Sequence, residues 1–262
     1  SYWASEELRE IFDSDTVFDA ENGGVDKPSQ GLVKQGVATA DDDRFTRYLW
    51  EIESEDWVPF AKGGEDAWTL PRINLKILWG EAGVEVKSYE GSYPRNTQHY
   101  FSEALTYTYM KSSGRRFGYL HPSSIFGHAG NVFIPKADSW STLGYGNSNL
   151  VTYLMACLDP GRHWEVGNVS KLPWYSKLAE IDQLESRSRK IAGHLLYQRM
   201  SDFDSPYYTS PELLRHLEQE DPLWLYESHP HRELIDKAEI PEFNSEIDPA
   251  TSLYDIATHS SQ

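Results

Sequence analysis

Apolar residues recur at helical spacing near both ends of the chain, while the middle breaks into short aromatic-rich runs punctuated by glycine and proline. Leu8, Ile11 and Phe12 fall on one face of a helix over residues 1–14, with acids opposite. Leu150, Val151, Leu154, Met155 and Leu158 predict a second helix, started by Asn147 or Ser148 and stopped by Pro160-Gly161. Ile181, Leu184, Ile191, Leu195 and Leu196 give the longest helix, over 181–200, and Glu212 to Glu220 a short one. Between these, Phe45 to Ile52 reads as a helix-to-strand transition that Trp57-Val58-Pro59-Phe60 closes. Strands are expected at Ile73–Trp79, Tyr119-Leu120, Ile125-Phe126 and Val132-Phe133-Ile134, with Val84-Glu85-Val86-Lys87 extended after a turn at 80–83. Residues 95–110 are expected to be helical, and Lys62-Gly63-Gly64 to form a turn. Trp50, Trp57, Phe60 and Trp79 have the spacing of buried core. The fold class is therefore α+β: a mixed-sheet body over 31–173, an acidic helix and linker over 1–30, and a helical, Pro-punctuated acidic region over 174–262.

Composition agrees with a folded chain. The 9 Trp, 16 Tyr and 10 Phe among 262 residues supply the burial that disordered sequences lack. One cysteine, Cys157, excludes an internal disulfide and a cysteine-based zinc site. No apolar run reaches the roughly 18 residues of a membrane span. The N-terminus has neither the basic start nor the apolar stretch of a signal peptide, so a cytoplasmic location without membrane contact is expected.

The formal net charge of −17 reads at first against nucleic acid. Its distribution changes that picture. Residues 31–173 carry 14 basic against 16 acidic side chains, whereas residues 1–30 carry 2 against 8 and residues 174–262 carry 8 against 17. The middle can present a basic face, and the acidic flanks read as solvated surface or as docking segments for a basic partner.

Catalytic motifs are sparse. The nine histidines form no HExxH pair, and no metal is assigned. His128, beside Gly127, reads as a turn histidine, and His229 and His231 as surface residues. Gly144-Tyr145-Gly146-Asn147-Ser148-Asn149 imitates a dinucleotide loop but lacks its third glycine and its leading strand. Asp204-Ser205-Pro206-Tyr207-Tyr208 imitates the [DNS]PP[YFW] tetrad of amino-methylating DNA methyltransferases but has Tyr207 for the second proline. Asp66 with Glu85 and Lys87 has the D…ExK spacing of magnesium-dependent restriction nucleases, where two carboxylates hold the metal and the lysine polarises a water. An exposed hairpin accounts for the same residues.

Several strings, in order, match one family: Gly31-Leu32, Arg44 to Glu51, Trp57 to Glu65, Arg95-Asn96 with Tyr100-Phe101, Leu105-Thr106, Phe126 to Gly130, Asn147 to Leu158, and Trp164 to Pro173. The chain resembles the C-terminal, target-recognising half of the large adenine-specific DNA methyltransferases of phage-defence systems, the PglX type of BREX. The resemblance spans roughly residues 31–215, more loosely over Asp202 to Leu214. Its most specific element is the F-x-KGGE turn from Phe60 to Glu65, followed much later by VGN-x-x-x-LP. The close, a strand running into Leu172-Pro173 and then the 181–200 helix, resembles other restriction-modification recognition domains. The resemblance implies double-stranded DNA as partner, together with a methyltransferase catalytic domain and further phage-defence subunits. S-adenosylmethionine would act in that catalytic domain, whose cofactor loop and tetrad this chain lacks, so no catalytic or cofactor-binding residue is assigned here. A protein-interaction module built on the acidic flanks is the remaining alternative to recognition domain and nuclease.

Candidate DNA contacts follow from groove chemistry, where Arg or Lys suits guanine, Asn or Gln suits adenine, and phosphates take basic side chains and close backbone N–H groups. Lys62-Gly63-Gly64 fits a phosphate clamp or a plain turn, and Arg95-Asn96 a pair of base readers or a cap. Arg115-Arg116 fits backbone tracking, with Lys34-Gln35 a weaker case. Arg44 and Arg47 lie beside acids and read as structural ion pairs.

Overall fold

A computed structural model describes residues 6–63, 68–110, 116–179, 181–202 and 205. The helices are α1 (Glu6–Phe12), α2 (Ala20–Gly23), α3 (Asp42–Phe45), α4 (Gly80–Ser88), α5 (Ser139–Gly146), α6 (Asn149–Leu158), α7 (Val166–Ser170), α8 (Ser176–Ala179) and α9 (Asp182–Arg199). The strands are β1 (Gly31–Lys34), β2 (Val37–Ala38), β3 (Thr46–Tyr48), β4 (Trp57–Gly63), β5 (Leu75–Leu78), β6 (Tyr93–Pro94), β7 (Ala104–Thr108), β8 (Phe117–Leu120) and β9 (Ile125–Pro135). The class is α+β with a mixed sheet, as the sequence pattern predicts.

β9 is the spine of that sheet. Its first half lies parallel to β4 on one side and β2 on the other, with Phe60 opposite Ile125 and Val37 opposite Gly127. Its second half lies antiparallel to β7 and β1, with Leu105 opposite Phe133 and Leu32 opposite Ile134. β5 and β3 extend the sheet beyond β4, β6 extends it beyond β2, and β8 pairs outside β7. The two short strands expected at Ile125-Phe126 and Val132–Ile134 are the ends of this single strand. The stretch between them lacks large apolar side chains, yet its backbone stays paired on both sides.

Two apolar clusters flank the sheet. One joins Val33, Leu105, Phe117 and Phe133 to Leu143, Leu154 and Leu196 from the helices and to Trp164 from the link between α6 and α7. Phe18 stacks on Phe133 at 4.3 Å and lies 6.0 Å from Trp174, so residues on both sides of the 31–173 segment enter this core. The other cluster holds Phe45, Phe60, Ile77, Trp79, Val86, Tyr100 and Phe126. On α9 the buried stripe is Ser188, Ala192, Leu196 and Met200, whereas Ile181 and Ile191 face solvent. α5 fills the groove beside that stripe, where a Cβ on Gly144 would lie 2.8 Å from Ser188 Oγ and 3.2 Å from Leu184. The apparent dinucleotide loop is therefore the end of a helix, its glycines serving close packing.

Ser148, one of the two caps expected for the 149–158 helix, accepts a hydrogen bond from Val151 N–H at 3.2 Å. Ser148→Ala is expected to cost about 1 kcal/mol, readable as a lowered midpoint in thermal unfolding. Asn147 instead ends α5, and its buried amide bonds both backbone groups of Phe117, at 3.1 and 2.8 Å.

Several local expectations are corrected. Residues 84–87 are helical, because Glu81, Ala82 and Gly83 turn the chain through left-handed conformations and only Val86 is then buried. Residues 95–110 form a short 3-10 turn and then β7, consistent with the β-branched and aromatic run Thr106-Tyr107-Thr108. Lys62 and Gly63 end β4 instead of forming a turn. Residues 166–170 are helical, so the approach to Leu172-Pro173 is α7 and not a strand. Trp50 and Phe12 are exposed, while Phe60 and Trp79 are buried as expected. Gly64, Glu65, Asp66, Arg115, the 204–208 tetrad-like string apart from Ser205, the 212–220 helix, His229 and His231 lie outside the described residues.

Candidate nucleic-acid interface

Two of the expected pairs meet. β1 ends at Lys34, leaving Gln35 on the link to β2, and β2 pairs with β6, so that Arg95-Asn96 emerges beside Gln35. Asn96 Nδ2 donates to the Gln35 backbone carbonyl at 2.9 Å, and the Arg95 guanidinium donates to Gln35 Oε1. Asn96 sits at φ +55°, a left-handed conformation that Asn tolerates better than most residues and that turns the chain into the 97–99 segment. Arg95 is exposed and lies over the ring of exposed Tyr93, 4.6 Å from its centroid. Lys34 approaches the buried Asp19 at 3.9 Å, and Asp19 also accepts the Val33 N–H at 2.8 Å. Lys34 thus has a structural partner at the margin of this unit.

The unit continues onto β9. Gln35 Nε2 donates to the His128 carbonyl at 3.5 Å, a long contact. His128 is exposed in mid-strand, where the β4–β9 register shifts between Ala61 and Gly63. Such a bulge re-aims side chains. Tyr109 lies 6.5 Å from the His128 ring and stacks on exposed His163 at 5.0 Å. Tyr93, Arg95, Gln35, His128, Tyr109 and His163 therefore form one polar and aromatic strip. Sequence reasoning missed its second half. The available signal was Gly127-His128-Ala129-Gly130, small residues around a polar one inside a strand, which marks a bulge or a close backbone approach.

The other expected contacts are elsewhere. Gly63, at φ +86°, would place a Cβ 2.2 Å from the Ala129 carbonyl oxygen, so its glycine serves the close approach of β4 to β9. Lys62 lines a cleft with His128 but its ammonium lies 2.6 Å from Asp42. Burial pushes the Asp42 carboxyl up, yet hydrogen bonds from Lys62 and Thr39 together bring it below its ordinary value. Arg116 is only 4% exposed, with Nη1 donating to the carbonyls of Thr108, Tyr109 and Arg162 at 3.3, 3.2 and 3.1 Å. It is part of the core and cannot track a DNA backbone from that position. Arg44 lies over the rings of Phe45 and Tyr89, and Arg47 over Trp57 with donations to the Asp43 and Thr46 carbonyls. Ring and carbonyl contacts thus replace the expected ion pairs.

Glu85 and Lys87 stand two residues apart on α4, about 200° around the helix, and so do not converge on one metal. Among the described residues no group of three or more His, Cys, Asp or Glu could hold a metal ion, and no helix is long and apolar enough to cross a membrane.

No family model matches the chain. Over 121 residues, 45% of this chain, it is 27% identical to the adenine-specific methyltransferase BrxX of Escherichia coli O9:H4 (strain HS). The matched region is 10% of that protein's length. Among solved structures, the Type IIL restriction-modification enzyme MmeI in complex with DNA is similar over 79% of this chain and 31% of that one, with a TM-score of 0.39 and 14% identity. By sequence, the chain is similar to part of an adenine-specific methyltransferase.

Proposed function

We propose that this chain is the DNA sequence-recognition portion of an adenine-specific, S-adenosylmethionine-dependent DNA methyltransferase of the PglX type, acting in phage defence. The observation that carries the reading is the joining of exposed Arg95 with half-buried Gln35 and Asn96 into one hydrogen-bonded unit on adjacent connections. These are the side-chain types that read guanine and adenine edges, and their mutual bonds hold them at fixed spacing before DNA arrives. The partial match to an adenine-specific methyltransferase supports the same reading. Under this reading cofactor binding and methyl transfer belong to a separate catalytic portion, and Gly144 and Gly146 serve the packing of α5. The double-stranded DNA partner and a cytoplasmic location follow as parts of the proposal.

Fluorescence anisotropy of the chain on a labelled mixed-sequence duplex tests it. Three neutralised phosphates would weaken binding about fortyfold between roughly 50 and 200 mM salt. Binding that ignores salt, or its absence when the chain is joined to a catalytic portion, would overturn the proposal. Lys62→Ala is expected to change duplex affinity by less than about threefold, because a half-exposed lysine already paired with Asp42 contributes little.

A further inference from the structure

At the opposite end of the sheet from the Gln35 unit, β3 is the outermost strand beyond β5. Tyr48, its last residue, is 44% exposed and Trp50 is 59% exposed. Their rings stack on each other, 4.6 Å apart and 6° from parallel, and so present a flat apolar face to solvent. Large exposed aromatics on a rigid element mark interaction sites, and Trp and Tyr dominate the energetics of such sites. The segment that follows carries Glu51, Glu53, Glu55 and Asp56, all exposed, and residues 48–56 contain no basic side chain. Glu51 is held inward, accepting the Tyr48 N–H at 2.6 Å, whereas Glu53, Glu55 and Asp56 enter no ion pair among the described residues. Cations beside this segment have other contacts: Arg47 lies over Trp57, Lys87 lies over Trp79, and Lys76 donates to the Ile52 carbonyl at 2.9 Å.

We propose that the Tyr48–Trp50 face and its acidic rim form a docking surface for an arginine-bearing protein segment. A guanidinium gains from stacking on an indole face and from nearby carboxylates at once. DNA is disfavoured at this edge, because three unpaired carboxylates repel phosphates. A protein partner can therefore sit at the β3 edge while the β2–β6 edge stays open.

The test uses a fluorescein-labelled arginine-rich peptide, a lysine-matched peptide and a labelled duplex, each titrated by anisotropy against the full chain. Trp50→Ala is expected to weaken the arginine peptide about fivefold and the lysine peptide less. Glu53→Gln with Glu55→Gln and Asp56→Asn is expected to weaken both peptides about tenfold at low salt. Duplex affinity should not fall in either variant, and circular dichroism should show both folded, since every altered side chain is exposed. Peptide binding that survives both variants would place the peptide on another acidic surface and overturn the proposal. Loss of duplex rather than peptide binding on Trp50→Ala would overturn it too, by making Trp50 a base-stacking residue.

Discussion

Replacing Arg116 with alanine is expected to destabilise the fold by about 3 kcal/mol, at the upper end of single-substitution effects. The guanidinium lies over the Trp164 ring at 4.4 Å and bonds carbonyls from the end of β7 and from residue 162. The same segments are also tied by Trp164 N–H to the Tyr109 carbonyl at 2.7 Å, by the bridge between Met110 and His163, and by the stack of Tyr109 on His163. Burial pushes the Arg116 pKa down to about 10, with Asp159 acting against it, so the group stays charged at neutral pH. Removing it strips several carbonyls of a charge-assisted donor and leaves a void against Trp164. Arg116→Lys keeps the charge but loses the planar stack, and about half the destabilisation is expected. Urea unfolding would read both as lowered midpoints with unchanged slope. A shift below about 0.5 kcal/mol for Arg116→Ala would mean an exposed arginine, as the sequence alone suggests.

That contrast shows where sequence reasoning reached and where it stopped. Elements with a strong period were legible: Ser148 to Leu158 carries both its cap and its apolar face, and the 182–199 helix has the length no strand reaches. The α+β class was legible for the same reason. The continuity of β9 was not, because its centre, Gly127 to Asn131, is held by backbone pairing and contributes no hydrophobic period, with His128 exposed in its middle. Val84 to Lys87 alternates like a strand, but its extension depended on neighbours that left-handed turning at 81–83 removes. In the site, residue type was readable and burial was not. Arg95 and Arg116 are the same letter, and only the pairing of β2 with β6 sends one to the surface while β7, β8 and Trp164 enclose the other. Gln35 and Asn96 could each be suspected from their chemistry, but their contact crosses 61 residues of chain.

Arg95→Ala is expected to weaken specific duplex binding by about 1–3 kcal/mol, or roughly fivefold to 150-fold, and to relax preference at one base position. Arg95 matters for what it holds as well as for what it would touch. Its guanidinium bonds Gln35 Oε1, so its loss frees the Gln35 side chain that the strip keeps between Arg95 and His128. If the two act as one reader, Gln35→Ala costs a comparable amount, and the double variant costs much less than the two losses added. A double-mutant cycle on a fixed duplex measures this directly, with a coupling of about 1 kcal/mol expected for side chains in contact. Lys34→Ala provides the contrast. Near the Asp19 carboxylate it contributes charge and not direction, so any loss should be uniform across sequences and should reduce the salt slope by about one unit at most. Strict additivity of Gln35 and Arg95, with sequence preference intact in both single variants, would mean that their hydrogen bond fixes the β2–β6 edge and reads nothing.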